Sequence, residues 1–480
     1  MTAPRFVFDG VLLASMKMPE ANAIVYGDES ITYGELAWRL CRVASGVDAL
    51  GARRVAVSLP NHPALLEIFF GSTLAGAVFV LFDPKWPRET LDKIFKSHQP
   101  QLFFGEASSQ VDLKNFAAWR DDQDPNRVLQ TQPTPKMPFL VGFTSGTTGI
   151  PKAFIRSHAS WTASFAASHI EFDISTNSNV LLPGPLSHGL SLYAAVETLN
   201  AGGTVTLEPS FDAPHLMYIA GLGQVNTIVA APTLLDLMLA AAPDARIETI
   251  TKVITAGAKL LPALRARLGR AFPAARIIEY YGASELSFVT VARSDEDCPP
   301  EAVGRAFNGV EIKIEKNAGE IGTVWVRSAM VAAGYVGPSD GAGLRINNGW
   351  ATVGDRGFID ARGFLTLVGR DGDMIITGGL NVYPIEVEAV LAAVSGIAEV
   401  WVTGEADERW GEVVTAVIAP ATNAKLDLAA LKHACAAHLA PHKIPRRWFL
   451  IDTFAHTTSG KIDREAVTAQ LRARSLKVLV

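Results

Sequence analysis

Between positions 144 and 152 the chain reads Thr144-Ser145-Gly146-Thr147-Thr148-Gly149-Ile150-Pro151-Lys152, directly after the apolar residues 139–143. Thr144, Ser145, Thr147 and Thr148 supply hydroxyls, Gly146 and Gly149 let the backbone approach an anion closely, and Lys152 adds positive charge. Such a loop is suited to holding phosphate. The bland alternative is a strand-to-loop turn, since Thr, Ser and Gly are common turn residues. It is not a Walker loop, in which lysine follows the second glycine at once and precedes Ser or Thr; here Ile150 and Pro151 intervene and Ala153 follows.

Short β-branched runs at 54–59, 78–81, 227–230 and 252–255 alternate with Ala/Leu-rich helical stretches at 33–50 and 232–242. That alternation argues an α/β fold with largely buried sheets. From about Val303 the texture changes to short strands and Gly-rich turns, which suggests a small β-barrel-like or antiparallel sheet. Turn-forming residues at Gly369-Arg370-Asp371-Gly372-Asp373 mark a second break, so residues 1–371 read as a large N-terminal domain and 372–480 as a small α+β C-terminal domain.

At 480 residues, 49% hydrophobic and 19% charged, the chain exceeds one core and has a globular composition. A net charge of −5 without a long basic run argues against nucleic acid as a partner. Three scattered cysteines, Cys41, Cys298 and Cys435, do not make a disulfide framework or a zinc site and fit a reducing, cytoplasmic compartment. The N-terminus reads without a signal peptide, Asp9 and Gly10 interrupting its apolar residues. The longest apolar stretch, 68–82, falls short of the roughly 18 residues of a membrane span and reads as a buried helix entering a buried strand.

Further motifs follow the first in order: Tyr280-Tyr281-Gly282-Ala283-Ser284-Glu285, Gly354-Asp355-Arg356-Gly357, Gly369-Arg370, Gly378-Gly379-Leu380-Asn381-Val382-Tyr383-Pro384 and Ser459-Gly460-Lys461. Together, from Ile31-Thr32-Tyr33-Gly34-Glu35-Leu36 to Lys461, they resemble the acyl-adenylate-forming superfamily of acyl-CoA synthetases, peptide-synthetase adenylation domains and luciferases. The resemblance implies a two-step reaction: a carboxylate attacks the α-phosphorus of ATP, pyrophosphate leaves, and the acyl group passes from AMP to a thiol. Two anions must meet, so positioning and charge neutralisation carry the catalysis.

By that resemblance the 144–152 loop holds the β- and γ-phosphates, Ser284 meets the α-phosphate, and Glu285 is the Mg²⁺ ligand, a hard oxygen donor. Tyr281 packs on adenine with Tyr280 and Gly282 beside it, Gly257-Ala258 lines the other face, and Asp355 accepts from the ribose hydroxyls with Arg370 assisting. Lys461 bridges the substrate carboxyl and the α-phosphate, as a point charge on a flexible stem can. Ala455 and His456 stand where the pattern commonly has proline and a basic residue. The superfamily turns its small domain between two orientations about a position usually held by Asp or Lys; here that position is Gly372, which implies a loosely biased hinge.

Pro185-Leu186-Ser187-His188-Gly189-Leu190 resembles the gate segment of aryl- and fatty-acyl-CoA ligases, with His188 as gate or as an ordinary buried histidine. The acyl pocket so implied draws on His188, Tyr193, Ala231, Ala256, Tyr280 and Ala283, which suits a medium-chain fatty acid or an aryl acid. The acceptor is CoA, with Gly378, Gly379, Lys443 and Arg446 as contacts, or the phosphopantetheine of an acyl carrier protein. Residues 428–451 carry Lys432, Lys443, Arg446 and Arg447 and no acid, either a solvated face or a contact for a phosphate-bearing cosubstrate. An inactive nucleotide-binding homologue is a third reading; Lys461, Glu285, Asp355 and Lys152 together argue against it.

Overall fold

The computed structural model describes residues 4–105, 110–144, 151–316, 321–336, 343–457 and 461–479. The chain folds as two compact units, residues 1–312 with 326–353, and residues 313–325 with 354–480. The hairpin that carries Asp355 and Arg370 belongs with the smaller unit, whose longer stretch begins at Gly354.

Two sheets with parallel centres build the first unit. In one, the order is Ala302–Ala306, Ser287–Arg293, Arg276–Ala283, Lys252–Thr255, Thr227–Val229, Asn179–Leu182, Thr204–Leu207, Asn22–Tyr26, Glu29–Thr32. All pairings from Arg276–Ala283 to Asn22–Tyr26 are parallel, and those at the two ends are antiparallel. In the other sheet Gly334–Val336, Lys152–Ser157 and Pro138–Thr144 are antiparallel, and the order continues in parallel through Val78–Leu81, Arg54–Val57, Leu102–Gly105 and Val111–Asp112.

Parallel strands need crossovers, and the predicted helices supply them. Tyr33–Ala49 starts from a capping box: the Thr32 hydroxyl accepts from the Glu35 amide at 3.2 Å, and the Glu35 carboxylate accepts from the Thr32 amide at 3.0 Å. The first motif of the resemblance thus has a local reason. Pro63–Leu74 is buried from Pro63 to Thr73 and leads into Val78–Leu81, so the apolar stretch at 68–82 is core. Among the described residues no helix is long and apolar enough to cross a membrane.

In the second unit Asp355–Ile359 and Leu365–Arg370 form a hairpin, and Gly322 and Thr323 pair with its first strand. A second sheet runs Leu380–Val382, Ile375–Thr377, Gly411–Pro420, Arg447–Leu450, Lys477–Val478, with Ile397–Asp407 also paired to Gly411–Pro420. Its side chains alternate with the strand period of two. Val402, Ala416 and Ile418 bury against Val387 and Leu391 of helix Pro384–Ala392 and Leu431 of Leu428–His438, while Trp401 and Val417 bury against Val467 and Leu471 of Arg464–Arg472.

Candidate active site

Parallel pairing brings the carboxyl ends of successive strands to one edge of a sheet, where ligands of open α/β sheets bind. In the first unit the singled-out residues follow such ends: Ala231 after Thr227–Val229, Ala256, Gly257 and Ala258 after Lys252–Thr255, and His188 after Asn179–Leu182. Thr144 closes Pro138–Thr144 itself.

Two hairpins carry the anion-binding candidates. Pro138–Thr144 pairs with Lys152–Ser157 so that Thr144 stands opposite Lys152. These two residues bracket the proposed phosphate loop; Ser145, Gly146, Thr147, Thr148 and Gly149 lie outside the described residues. A strand, not a helix, follows the loop, which sets it apart from a Walker loop in structure too. The second hairpin joins Arg276–Ala283 to Ser287–Arg293 through Ser284, Glu285 and Leu286, with an irregularity in register between Tyr281 and Gly282. A Cβ at Gly282 would stand 2.3 Å from the Ser287 carbonyl oxygen, so the tight return of the chain requires glycine there.

Glu285 joins the two hairpins. It is buried, and its Oε1 accepts from the Tyr335 hydroxyl at 2.7 Å and from the Thr144 hydroxyl at 3.3 Å. Buried Arg156, on the strand after the loop, donates from Nη1 to the Ser284 carbonyl at 3.1 Å. Burial presses its guanidinium down to about 10, with Tyr193 and Glu285 opposing the fall, so it remains a cation at neutral pH. Sequence reasoning missed Tyr335 and Arg156, as well as Asp83, whose Oδ2 lies 3.2 Å from His188 Nε2. Tyr281 is half-buried and Gly257 and Ala258 are exposed.

The fit of Mg²⁺ can be judged on these oxygens. No group of three or more His, Cys, Asp or Glu able to hold a metal occurs among the described residues. One carboxylate beside a threonine hydroxyl suits a cation that takes most of its ligands from phosphate and water, so the residues fit.

Tyr193 and Tyr280 line one small cavity of about 10 Å³, room for about one water, together with Phe172, Leu190, Glu197 and Ile254. His188, Ala231, Ala256 and Ala283 are not among its lining residues; Ala231 and Ala256 stand two positions beyond the lining residues Val229 and Ile254, past the strand ends.

In the second unit Arg370 Nε donates to Asp355 Oδ1 at 2.6 Å, and the two face each other across the hairpin. Gly372 lies in the turn that follows; its φ is outside the left-handed region and a Cβ there would meet open space. This conformation therefore accepts any residue at 372, and a need for glycine can belong only to another one. Gly378 and Gly379, at φ +59° and +81°, form the two-residue turn between Ile375–Thr377 and Leu380–Val382.

The basic segment is not bare. Lys443 pairs with Glu386, Arg447 with Asp407 at 3.1 Å, and the Arg446 guanidinium lies 4.1 Å from the Trp410 ring centroid, all partners from elsewhere in the chain. Lys461 is exposed and its amide donates to the Thr457 hydroxyl at 3.3 Å. Ser459 and Gly460 lie outside the described residues. His456 Nε2 sits 2.7 Å from Glu399 Oε1, an anchor for the approach to Lys461.

Residues 14–336 match the family described as AMP-binding enzyme, and residues 386–461 match the AMP-binding enzyme C-terminal domain. An uncharacterized acyl-CoA ligase of Bacillus subtilis (strain 168) is 36% identical over 94% of this chain and 95% of its own length. A feruloyl-CoA synthase of an Amycolatopsis species is 31% identical over 92% and 94%. The fold is that of ATP-bound MatB from Rhodopseudomonas palustris, at a TM-score of 0.88 and 24% identity over 97% of this chain and 99% of that one. With a large sheet unit, a small α+β unit and both family matches in register with the motifs, the chain belongs to the AMP-binding enzyme family, the acyl-CoA synthetases of the acyl-adenylate-forming superfamily.

Proposed function

We propose that this enzyme activates a medium-chain or aryl carboxylic acid with ATP and transfers the acyl group to CoA. In the first step a carboxylate oxygen bonds to the α-phosphorus as the bond to the pyrophosphate oxygen breaks. In the second, the thiolate sulfur bonds to the acyl carbon as AMP leaves with the electron pair. The observation that carries the reading is Glu285, a buried carboxylate touching the hydroxyl of Thr144, 141 positions away at one end of the proposed phosphate loop. A buried acid in that position needs a cationic counterpart, which Arg156 supplies in part.

Thr144, Lys152 and the loop between them hold the β- and γ-phosphates, and Ser284 meets the α-phosphate. Glu285 and the Thr144 hydroxyl would hold Mg²⁺, which supplies charge neutralisation on the phosphates when bound. Tyr335 aims the Glu285 carboxylate through its hydrogen bond, and Arg156 fixes the turn through the Ser284 carbonyl. Tyr281, with Gly257 and Ala258, takes the adenine, Asp355 and Arg370 the ribose, and Lys461 the charge that develops between carboxylate and phosphate. Gly372 is the pivot between the two half-reactions. CoA as acceptor is supported by the relatives named as CoA ligases, and an aryl or fatty acid by the feruloyl-CoA synthase and by a protein named putative long chain fatty acid-CoA ligase from Staphylococcus epidermidis. A cytoplasmic setting accords with three free cysteines.

Incubation with ATP, Mg²⁺ and a panel of carboxylic acids, followed by pyrophosphate release and by thioester formation with CoA or a carrier protein, tests the reading. Acid-dependent pyrophosphate release with CoA thioester as product is expected. ATP binding without pyrophosphate release for any acid would overturn it, and a thioester on the carrier alone would replace CoA as acceptor.

A further inference from the structure

His188 is the N-cap of helix Gly189–Ala201, yet its ring makes no capping bond to that helix. The ring turns instead to Asp83, with Nε2 at 3.2 Å from Oδ2. Asp83 is buried, and its Oδ1 accepts from the Lys85 amide at 2.9 Å. The stretch leading to His188 is held as well: the buried Asn61 side chain donates to the Gly184 carbonyl at 3.1 Å and accepts from the Leu186 amide at 2.7 Å. Asn61 and Asp83 follow Arg54–Val57 and Val78–Leu81, adjacent parallel strands of the sheet that carries Thr144, so one sheet grips the segment that leaves a strand of the other. The grip lies beside the proposed phosphate loop. Val78–Leu81 pairs with Pro138–Thr144 with Val80 opposite Val141, and that register carried on three residues sets Asp83 beside Thr144, neighbouring strands being about 4.8 Å apart. The ring centroids of Phe82 and Phe143, 5.8 Å apart, agree with it.

We propose that Asp83 is a positioning residue for acyl transfer: it holds His188 with the ring proton on Nε2, leaving Nδ1 to accept the proton of the incoming thiol. The inference rests on the acid-ligase reading and adds to it a residue that acts through His188. A carboxylate oxygen can only accept, so Nε2 donates and a neutral ring keeps its lone pair on Nδ1. Among the described residues Nδ1 has no hydrogen-bond partner, and the side chain is 23% exposed, so that lone pair is not spent within the chain. The proton balance chooses the step. A carboxylic acid, ordinarily ionised above about 4, reaches ATP without its proton, whereas a thiol, ordinarily about 8.5, must lose its own to react. In the second half-reaction the S–H proton passes to Nδ1, the S–C bond forms, and the C–O bond to AMP breaks with its electron pair left on AMP. The carbon attacked is joined through oxygen to the α-phosphorus, so the thiol arrives at the edge where Thr144 reaches Glu285.

Asp83→Asn keeps the shape and removes the charge. Its one side-chain oxygen goes to the Lys85 amide, which has no other tautomer, so its NH₂ faces His188 and the ring must move its proton to Nδ1. Thioester formation from supplied acyl adenylate and CoA should fall by at least about 10-fold more than adenylate formation, and that excess should vanish in a His188→Ala background. An equal fall in both half-reactions, or the same excess without His188, marks a structural role and overturns the inference. Ring nitrogen NMR shifts, assigned to His188 by their loss in His188→Ala and read where the ring is neutral, should show Nε2–H in wild type and Nδ1–H in Asp83→Asn. Nδ1–H in wild type overturns the inference, and that reading decides if Asp83→Asn does not fold. Absence of pyrophosphate release from wild type with every acid sinks the ligase reading and the thiol step with it, while the shifts still decide whether Asp83 sets the ring.

Discussion

Single residues carry the chemistry, and the most informative lie where burial and charge conflict. Burial pushes the Glu197 carboxyl up to about 8 from its ordinary 4.5, with Ser168 and Lys252 drawing it part of the way back. The unfolded chain releases that proton near 4.5, whereas the folded chain keeps it until about 8. Between those values the folded state binds more protons, so this residue costs stability increasingly as pH rises through the window and costs a constant amount above it. Urea midpoints taken from pH 5 to pH 8 should fall faster for wild type than for Glu197→Gln, the gap opening with pH; parallel curves would contradict the assignment. Glu197 carries a sequence signal in hindsight, one acid within an otherwise uncharged helix that is buried from Ser191 to Leu199. Tyr335 and Asp83 carry none. They reach Glu285 and His188 from 50 and 105 positions away, and only the folded chain brings them there.

Elements turn those residues into a site by ending in the right place. The α/β alternation was legible because buried β-branched runs and helical stretches differ in period, and strands such as Lys252–Thr255 fall where the pattern puts them. The two hairpins were not, since nothing in the order of residues says that Ser287–Arg293 turns back antiparallel on Arg276–Ala283. Their geometry explains the glycine of the Tyr-Tyr-Gly-Ala-Ser-Glu motif as a packing necessity. Gly282→Ala forces a Cβ against the Ser287 carbonyl, and we expect a loss of about 1–3 kcal/mol in chemical denaturation together with weaker nucleotide binding, because the turn holding Ser284 and Glu285 must shift. Unchanged stability and nucleotide affinity would show that the turn tolerates the displacement. The partners of the basic segment at 428–451 were illegible for a related reason: its acids, Glu386 and Asp407, lie outside it in sequence.

At the scale of the molecule, two compact units divide the labour, one bearing the hairpins and the apolar cavity, the other the Asp355–Arg370 pair and Lys461. The division into a large and a small unit was readable from composition, but the inclusion of residues 313–325 in the smaller unit, where Gly322 and Thr323 pair with Asp355–Ile359, was not. The central claim is that the chain joins a carboxylate to AMP, with Lys461 supplying the charge between the reactants. Single-turnover formation of acyl adenylate by Lys461→Ala, beside its rate of thioester formation from supplied acyl adenylate and CoA, tests that claim most directly. The account predicts a fall of at least about 100-fold in adenylate formation with the thioester step largely retained; adenylate formation at the wild-type rate would contradict it.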